Sequence, residues 1–168
     1  MQERNMMLLE WQNTILEEPV SKLIMTETQL DQQTRIIVKN ELRIIKDCLE
    51  ILETTTKPDI FFPRLELLEK KTSDLVKVEK YVTFNGAKPS EALTNLFQDK
   101  QKVINDFLIR YFCSVFDKAE TMKTDKGKLN QYIKFYDSLK PYYDIMDADN
   151  IDYIETKYNA YTRSLKKG

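Results

Sequence analysis

The chain has 168 residues, of which 42% are apolar and 32% are charged, and its 26 basic and 27 acidic side chains leave a net charge of −1. These values are typical of a globular domain with its own core, and they exclude a strong overall attraction to nucleic acid or anionic lipid. Histidine is absent and glycine occurs only three times, which excludes Ser-His-Asp triads, HExxH metal sites, P-loops and dinucleotide-binding loops.

The first part of the chain shows helical periodicity. Residues 2–17 form a short amphipathic segment around Trp11, and Pro19 separates it from the next helix. Residues 20–55 predict one long helix because apolar side chains recur every seven residues along it. This row consists of Leu23, Leu30, Ile37, Ile44 and Ile51, and Ile45, Cys48 and Leu52 widen the stripe. At about 1.5 Å per residue such a helix is longer than a compact domain is wide, which predicts an elongated molecule.

Four further helices are predicted in the rest of the chain. They cover residues 61–83, 90–123, 128–146 and 150–166. The helix over 90–123 has the strongest pattern, with apolar residues three or four positions apart along its whole length. Pro141 is expected to kink or split the helix over 128–146, because proline lacks a backbone N–H.

Residues that favour helix starts accompany two of these segments. Pro89 and Ser90 suit the first turn of a helix, and Glu91 places a negative charge near the positive end of the helix dipole. The stretch Asp147-Ala148-Asp149-Asn150 is expected to cap the last helix, through Asp149 or Asn150, since these side chains accept hydrogen bonds from unpaired backbone N–H groups.

Together these segments predict an all-α fold, an elongated antiparallel bundle of five to six helices. The antiparallel order follows from the short connections between neighbouring helices. We expect a single domain over residues 1–168. A candidate sub-boundary lies near residues 56–58, where the long N-terminal helix would give way to a C-terminal bundle.

Carboxylate pairs three residues apart raise the alternative of a magnesium-dependent hydrolase. Two such pairs on facing helices could hold Mg²⁺ between them. The pairs are Glu50/Glu53, Glu66/Glu69, Asp117/Glu120 and Asp152/Glu155. Solvated helix faces also carry such pairs by chance, so we interpret them as surface residues and predict no metal site and no cofactor.

Three charged residues interrupt apolar helical stripes, namely Glu41, Glu79 and Lys100. An unpaired buried charge costs several kcal/mol, so each of them faces water, extends to water or finds a partner. Local exposure is the simpler interpretation. The alternative is an interhelical ion pair of Lys100 with Glu41 or Glu79, which would fix the register of the helices.

The last third of the chain is rich in aromatic residues with lysines between them. The aromatic residues are Tyr132, Phe135, Tyr136, Tyr142, Tyr143, Tyr153, Tyr158 and Tyr161. Aromatic side chains beside cations can bind single-stranded nucleic acid. The acidic residues of the same region cancel the positive field that phosphates need. Core packing is therefore the favoured interpretation, and nucleic acid is an unlikely partner.

Two cysteines, Cys48 and Cys113, are too far apart in sequence for a CxxC pair. They predict neither a zinc cluster nor a disulfide framework, and we expect reduced thiols in a cytoplasmic protein. No segment approaches the roughly 18 apolar residues of a membrane span, so no membrane association is expected.

One stretch carries Phe84-x-Gly86-x-x-Pro89-Ser90-x-x-Leu93 and then Asn105-Asp106-Phe107-Leu108-x-Arg110-Tyr111, with Phe61-Phe62-x-Arg64 before it. This pattern resembles helical segments of uncharacterised proteins from low-GC Gram-positive bacteria and their phages. The resemblance covers residues 45–160 and rests on structural motifs. It implies a bacterial or phage origin, and it implies no activity and no functional residue.

The function predicted from these observations is a non-catalytic helical module for protein interaction or assembly. The helix over 20–55 is apolar around more than half its circumference, which exceeds what a two-layer bundle needs. A protein partner or self-association would cover the surplus, and the candidate surface consists of Trp11, Ile36, Val38 and Leu42. The second alternative is a nucleic-acid-binding or regulatory factor that uses the C-terminal helices, and the magnesium-dependent hydrolase is third.

Overall fold

A computed structural model describes residues 32–79 and 88–167 of the chain. These two ranges contain six α-helices, one 3₁₀ helix and no β-strand, which confirms the predicted all-α class. The helices are α1 (Gln32–Thr54), α2 (Pro58–Val76), α3 (Pro89–Gln98), α4 (Lys100–Glu120), α5 (Asp125–Leu139) and α6 (Ala148–Lys167), with the 3₁₀ helix Lys140–Ile145 between α5 and α6. The elongated shape and the antiparallel order stay predictions.

The described residues belong to two compact units. Unit 1 comprises residues 32–54, 63–79 and 88–100, and unit 2 comprises residues 55–62 and 101–167. The first division, after Thr54, lies beside the sub-boundary predicted near residues 56–58, and the second lies inside α2. The single domain over residues 1–168 stays a prediction.

Helix α1 contributes one apolar row to the core of unit 1, and the prediction of this row is right only in part. Ile45, Cys48 and Leu52, which widen the predicted stripe, are buried, but the seven-residue row itself is not the core row. Leu23 and Leu30 lie outside the described residues. The buried residues alternate at spacings of four and three, which keeps them on one side of the helix. They are Val38, Leu42, Ile45, Leu49 and Leu52, with Cys48 beside them. In the predicted seven-residue row, Ile37 is exposed and Ile44 and Ile51 are only half-buried. The buried row supplies two apolar residues per seven positions, whereas the predicted row supplies one. Burial of the former therefore removes more apolar surface from water.

Helix α2 begins three residues before the predicted start at residue 61. The carbonyl of Lys57 accepts hydrogen bonds from the backbone N–H groups of Ile60 and Phe61, at 3.1 and 2.9 Å. Pro58 takes the first helical position, where a missing N–H costs nothing. The helix ends at Val76 and a hydrogen-bonded turn follows over residues 77–79.

The prediction of one helix over 90–123 is wrong, because a turn at Asp99 separates α3 from α4. The break falls in the polar run over residues 98–102, where no apolar side chain holds the helix to a core. Helix α3 begins at Pro89 as predicted, and Glu91 closes its first turn by accepting from the Lys88 N–H at 3.3 Å. This hydrogen bond satisfies a backbone N–H that has no partner within the helix.

Side-chain caps decide where α5 and α6 begin. Thr124 Oγ1 accepts from the Gly127 N–H at 3.0 Å, so α5 begins before the predicted residue 128. Asp147 Oδ1 accepts from the Asn150 N–H at 2.9 Å. Asp147 therefore caps α6, and the prediction of Asp149 or Asn150 in that role is wrong. The chain continues from α5 through Pro141 as a 3₁₀ helix, so the predicted interruption of this segment is confirmed.

Aromatic side chains form much of the core of unit 2. Phe61 stacks on Phe107 with ring centroids 4.1 Å apart, and Arg110 Nε donates to the Thr55 carbonyl at 3.0 Å. These two contacts hold residues 55–62 against α4. Helices α5 and α6 pack on each other, and Phe135 of α5 is fully buried. No helix in the described residues is both long and apolar enough to cross a membrane.

Candidate functional site

Three features of the described residues were candidates for a functional site: a group of charged side chains in unit 1, the tyrosines and lysines of unit 2, and a set of exposed isoleucines. Within residues 32–79 and 88–167, no group of three or more His, Cys, Asp or Glu side chains lies close enough together to hold a metal ion. Glu69, from one of the predicted carboxylate pairs, instead contacts Lys100.

The charged group of unit 1 consists of two interhelical ion pairs. Lys71 Nζ on α2 donates to Glu41 Oε1 on α1 at 3.1 Å. Lys100 Nζ, at the start of α4, lies 3.1 Å from Glu69 Oε1 on α2. The four side chains are only 15–24% exposed. Such pairs gain little net stability, because desolvation offsets their attraction, but they fix which residues of two helices face each other.

The partners predicted for Lys100 are therefore corrected. Glu41 pairs with Lys71 instead, and the Glu79 carboxylate accepts from the backbone N–H of Ser90 at 3.3 Å. Lys100 pairs with Glu69, which the prediction did not consider because Glu69 is not on an apolar stripe in the sequence. The correct partners depend on which side of α2 faces each neighbour, and helical spacing within one segment does not contain that information.

Cys48 is buried beside Arg64, a contact that the sequence did not indicate. Burial raises the pKa of the Cys48 thiol above its ordinary value, and the nearby Arg64 guanidinium offsets part of that rise. The thiol is fully enclosed and stays protonated near neutral pH, so it behaves as a small core side chain. Cys113, on α4 of unit 2, is exposed.

The tyrosines of unit 2 pack on one another, and lysines cover some of their faces. Burial, with a smaller effect of the Glu120 charge, raises the pKa of Tyr132 to about 12. Lys157 Nζ lies 5.7 Å from the ring centroids of both Phe112 and Tyr153, and Lys140 Nζ lies 4.7 Å from that of Tyr136. A base can stack only on an open ring face. These contacts therefore favour core packing over nucleic-acid binding in this region.

Exposed isoleucines are the third feature. On α1, Ile36 is 51% exposed and its neighbour Ile37 is 58% exposed. In unit 2, Ile60 is 37% and Ile109 is 41% exposed. The two residues are consecutive in sequence, and their side chains point about 100° apart around α1. Each is more exposed than the isoleucines of unit 2.

The predicted interaction surface is thus only partly exposed. Ile36 lies on the surface, but Val38 and Leu42 are each only 2% exposed and belong to the core, so their assignment to a surface is corrected. The reason is that both residues belong to the buried row of α1 with spacings of four and three. Trp11 lies outside the described residues. Ile37 is the surface residue that the sequence analysis assigned to the core.

Comparison with protein-family models, with curated proteins and with solved structures finds no match for this chain. The resemblance to helical proteins of low-GC Gram-positive bacteria and their phages stays an expectation.

Proposed function

We propose that this chain is a cytoplasmic helical module that binds another protein surface and does not act as a catalyst. The observation that supports this function is the pair of adjacent, more than half-exposed isoleucines on α1, Ile36 and Ile37. Burying one such side chain contributes about 1.5–3 kcal/mol. A partner that covers Ile37 would gain part of its binding free energy there, and one that also covers Ile36 would extend about 100° around α1.

The ion pair between Glu41 and Lys71, which joins α1 to α2, supports the same proposal. Glu41 on α1 and Lys71 on α2 contact each other at 3.1 Å, about one helical turn from Ile37. The pair fixes the rotation of α1 about its own axis and thus the direction in which Ile36 and Ile37 point. A binding surface that is already in place loses less conformational entropy when a partner docks.

Site-specific photo-crosslinking in the cells of origin tests the proposal. A photoreactive amino acid at position 37 of the full chain is expected to form covalent adducts with a protein. The matched control carries the same group at position 66, where Glu66 is exposed on α2. If position 37 forms no more adduct than position 66, the proposal is wrong.

A further inference from the structure

The surface of α1 that carries Ile37 has a symmetry that bears on the identity of its partner. Ile37, Ile44 and Ile51, here called the isoleucine row, are separated by seven residues, which is close to two helical turns. They form one line beside the buried core row. Ile37 is exposed and the other two are half-buried. The isoleucine row has the same spacing on both sides of Ile44.

The charges beside the isoleucine row reverse in sign at Ile44. Lys39 and Arg43 precede Ile44, Asp47 and Glu50 follow it, and all four side chains are exposed. At about 100° per residue, the four lie within about 80° of one another, on the solvent side of the row. The other side of the row is occupied by the contacts of α1 with α2, including the Glu41–Lys71 pair.

From this pattern we infer that the partner of the proposed surface is a second copy of this chain, docked with its α1 antiparallel to the first; the inference rests on the proposed function. A two-fold axis through Ile44 brings Ile44 against its own copy and Ile37 against Ile51. It also brings identical flanks together, so that Lys39 faces Glu50 and Arg43 faces Asp47. Interfaces between identical copies are self-complementary in this way.

A parallel arrangement does not fit the same residues. An axis along the two helices brings the charged flank of one α1 against the opposite flank of the other. On that flank Cys48 is buried and Glu41 is paired with Lys71 of α2, so the basic residues of one copy would not meet the acidic residues of the other. The antiparallel pair also places fewer like charges opposite each other. Charge patterns set the orientation of paired helices in this way.

Sedimentation equilibrium of the full chain over a range of concentrations measures the association. Ile37→Ser is expected to raise the dissociation constant of the dimer by about a hundredfold, because the substitution enters the interface twice. Ile109→Ser, the same change at an exposed isoleucine of α4, is the control and is expected to leave the constant unchanged. Circular dichroism confirms that both variants stay helical.

Charge reversal tests the complementarity. The double variants Lys39→Glu with Arg43→Glu, and Asp47→Lys with Glu50→Lys, are each expected to be monomeric. An equimolar mixture of the two is expected to form a heterodimer, because each then carries charges of one sign. A mixture that stays monomeric would overturn the inferred partner geometry.

Cysteine crosslinking tests the orientation in a Cys113→Ser background. Chains with Asn40→Cys mixed with chains with Asp47→Cys are expected to form a disulfide, since these positions face each other in the antiparallel pair. Chains with Asn40→Cys alone are expected not to crosslink with each other. If they do, and the mixture with Asp47→Cys does not, the two helices are parallel. A full chain that stays monomeric, while photo-crosslinking at position 37 captures a different protein, overturns this inference and leaves the proposed function standing. If the chain is monomeric and position 37 captures nothing, both are wrong.

Discussion

At the scale of single residues, the contact between Lys71 and Glu41 shows how little a sequence reveals about ionic partners. Glu41 is recognisable in the sequence because it interrupts an apolar stripe. Its partner Lys71 is one of many lysines, and only the rotation of α2 about its axis brings Lys71 Nζ to 3.1 Å from the carboxylate. The sequence could therefore predict that Glu41 needs a partner, but it could not identify the partner.

Removal of Lys71 tests the role of this ion pair. Lys71→Met leaves the part-buried Glu41 without its counter-charge and is expected to lower the free energy of unfolding by about 2 kcal/mol. The double variant Glu41→Leu with Lys71→Met is expected to recover most of that loss, because no charge is then left to desolvate. Urea titration measures both.

The matched control for this substitution is Lys77→Met. Lys77 Nζ lies 4.0 Å from Asp74 and its side chain is 81% exposed. An exposed pair of this kind contributes little, so the control is expected to change stability by less than about 0.5 kcal/mol. If Lys71→Met lowers the free energy of unfolding no more than Lys77→Met does, the part-buried interhelical pair contributes no more to stability than an exposed pair.

At the scale of helices, one side chain of α4 joins three parts of unit 2. Gln101 Nε2 donates to the Ile145 carbonyl at 3.1 Å, and Gln101 Oε1 accepts from the Asp147 N–H, also at 3.1 Å. The Asn150 side chain reaches the Gln101 carbonyl at 3.4 Å. Gln101 therefore fixes the junction between the 3₁₀ helix and α6.

Gln101→Ala is expected to lower the free energy of unfolding by about 1 kcal/mol, because it removes two side-chain hydrogen bonds. The bond to the Ile145 carbonyl is part-buried, and the bond from the Asp147 N–H is exposed to water, which can replace it. Gln98→Ala, at an exposed position of α3, is the control. Hydrogen exchange of the Asp147 amide should increase in Gln101→Ala and stay unchanged in the control. Equal exchange in the two variants would contradict the assigned role of Gln101.

The helices themselves were predictable, and their ends and faces were less so. Periodicity identified the helical segments because apolar residues recur wherever one side of a helix is buried. The break at Asp99 escaped prediction because the polar run over 98–102 does not disturb the spacing on either side of it. On α1 two apolar rows lie side by side, and the choice between them depends on the surface of α2 that packs against it.

At the scale of the whole molecule, the net charge of −1 bears on self-association. Two copies with so little net charge would hardly repel each other, which favours the proposed association. The candidate surface could be predicted only in part, because exposure depends on which of the two rows of α1 the fold covers. Ile36 is exposed, as a surface residue must be, whereas Val38 and Leu42 are buried.

Thermal unfolding provides a separate measurement of association. If the folded chain is a dimer, a tenfold increase in protein concentration is expected to raise Tm by about 2 °C, because mass action stabilises the associated state. The Tm of Ile37→Ser is expected not to change with concentration. A wild-type Tm that is independent of concentration would contradict the dimer.

The different surroundings of the two cysteines have a practical consequence. Cys113 is open to reagents on α4, whereas Cys48 is enclosed in the core of unit 1. A maleimide dye added to the folded protein therefore attaches at one place and reports on unit 2. Cys48 becomes reactive only when the core around it opens, so the appearance of a second labelled thiol measures the opening of unit 1 without any engineered change to the chain.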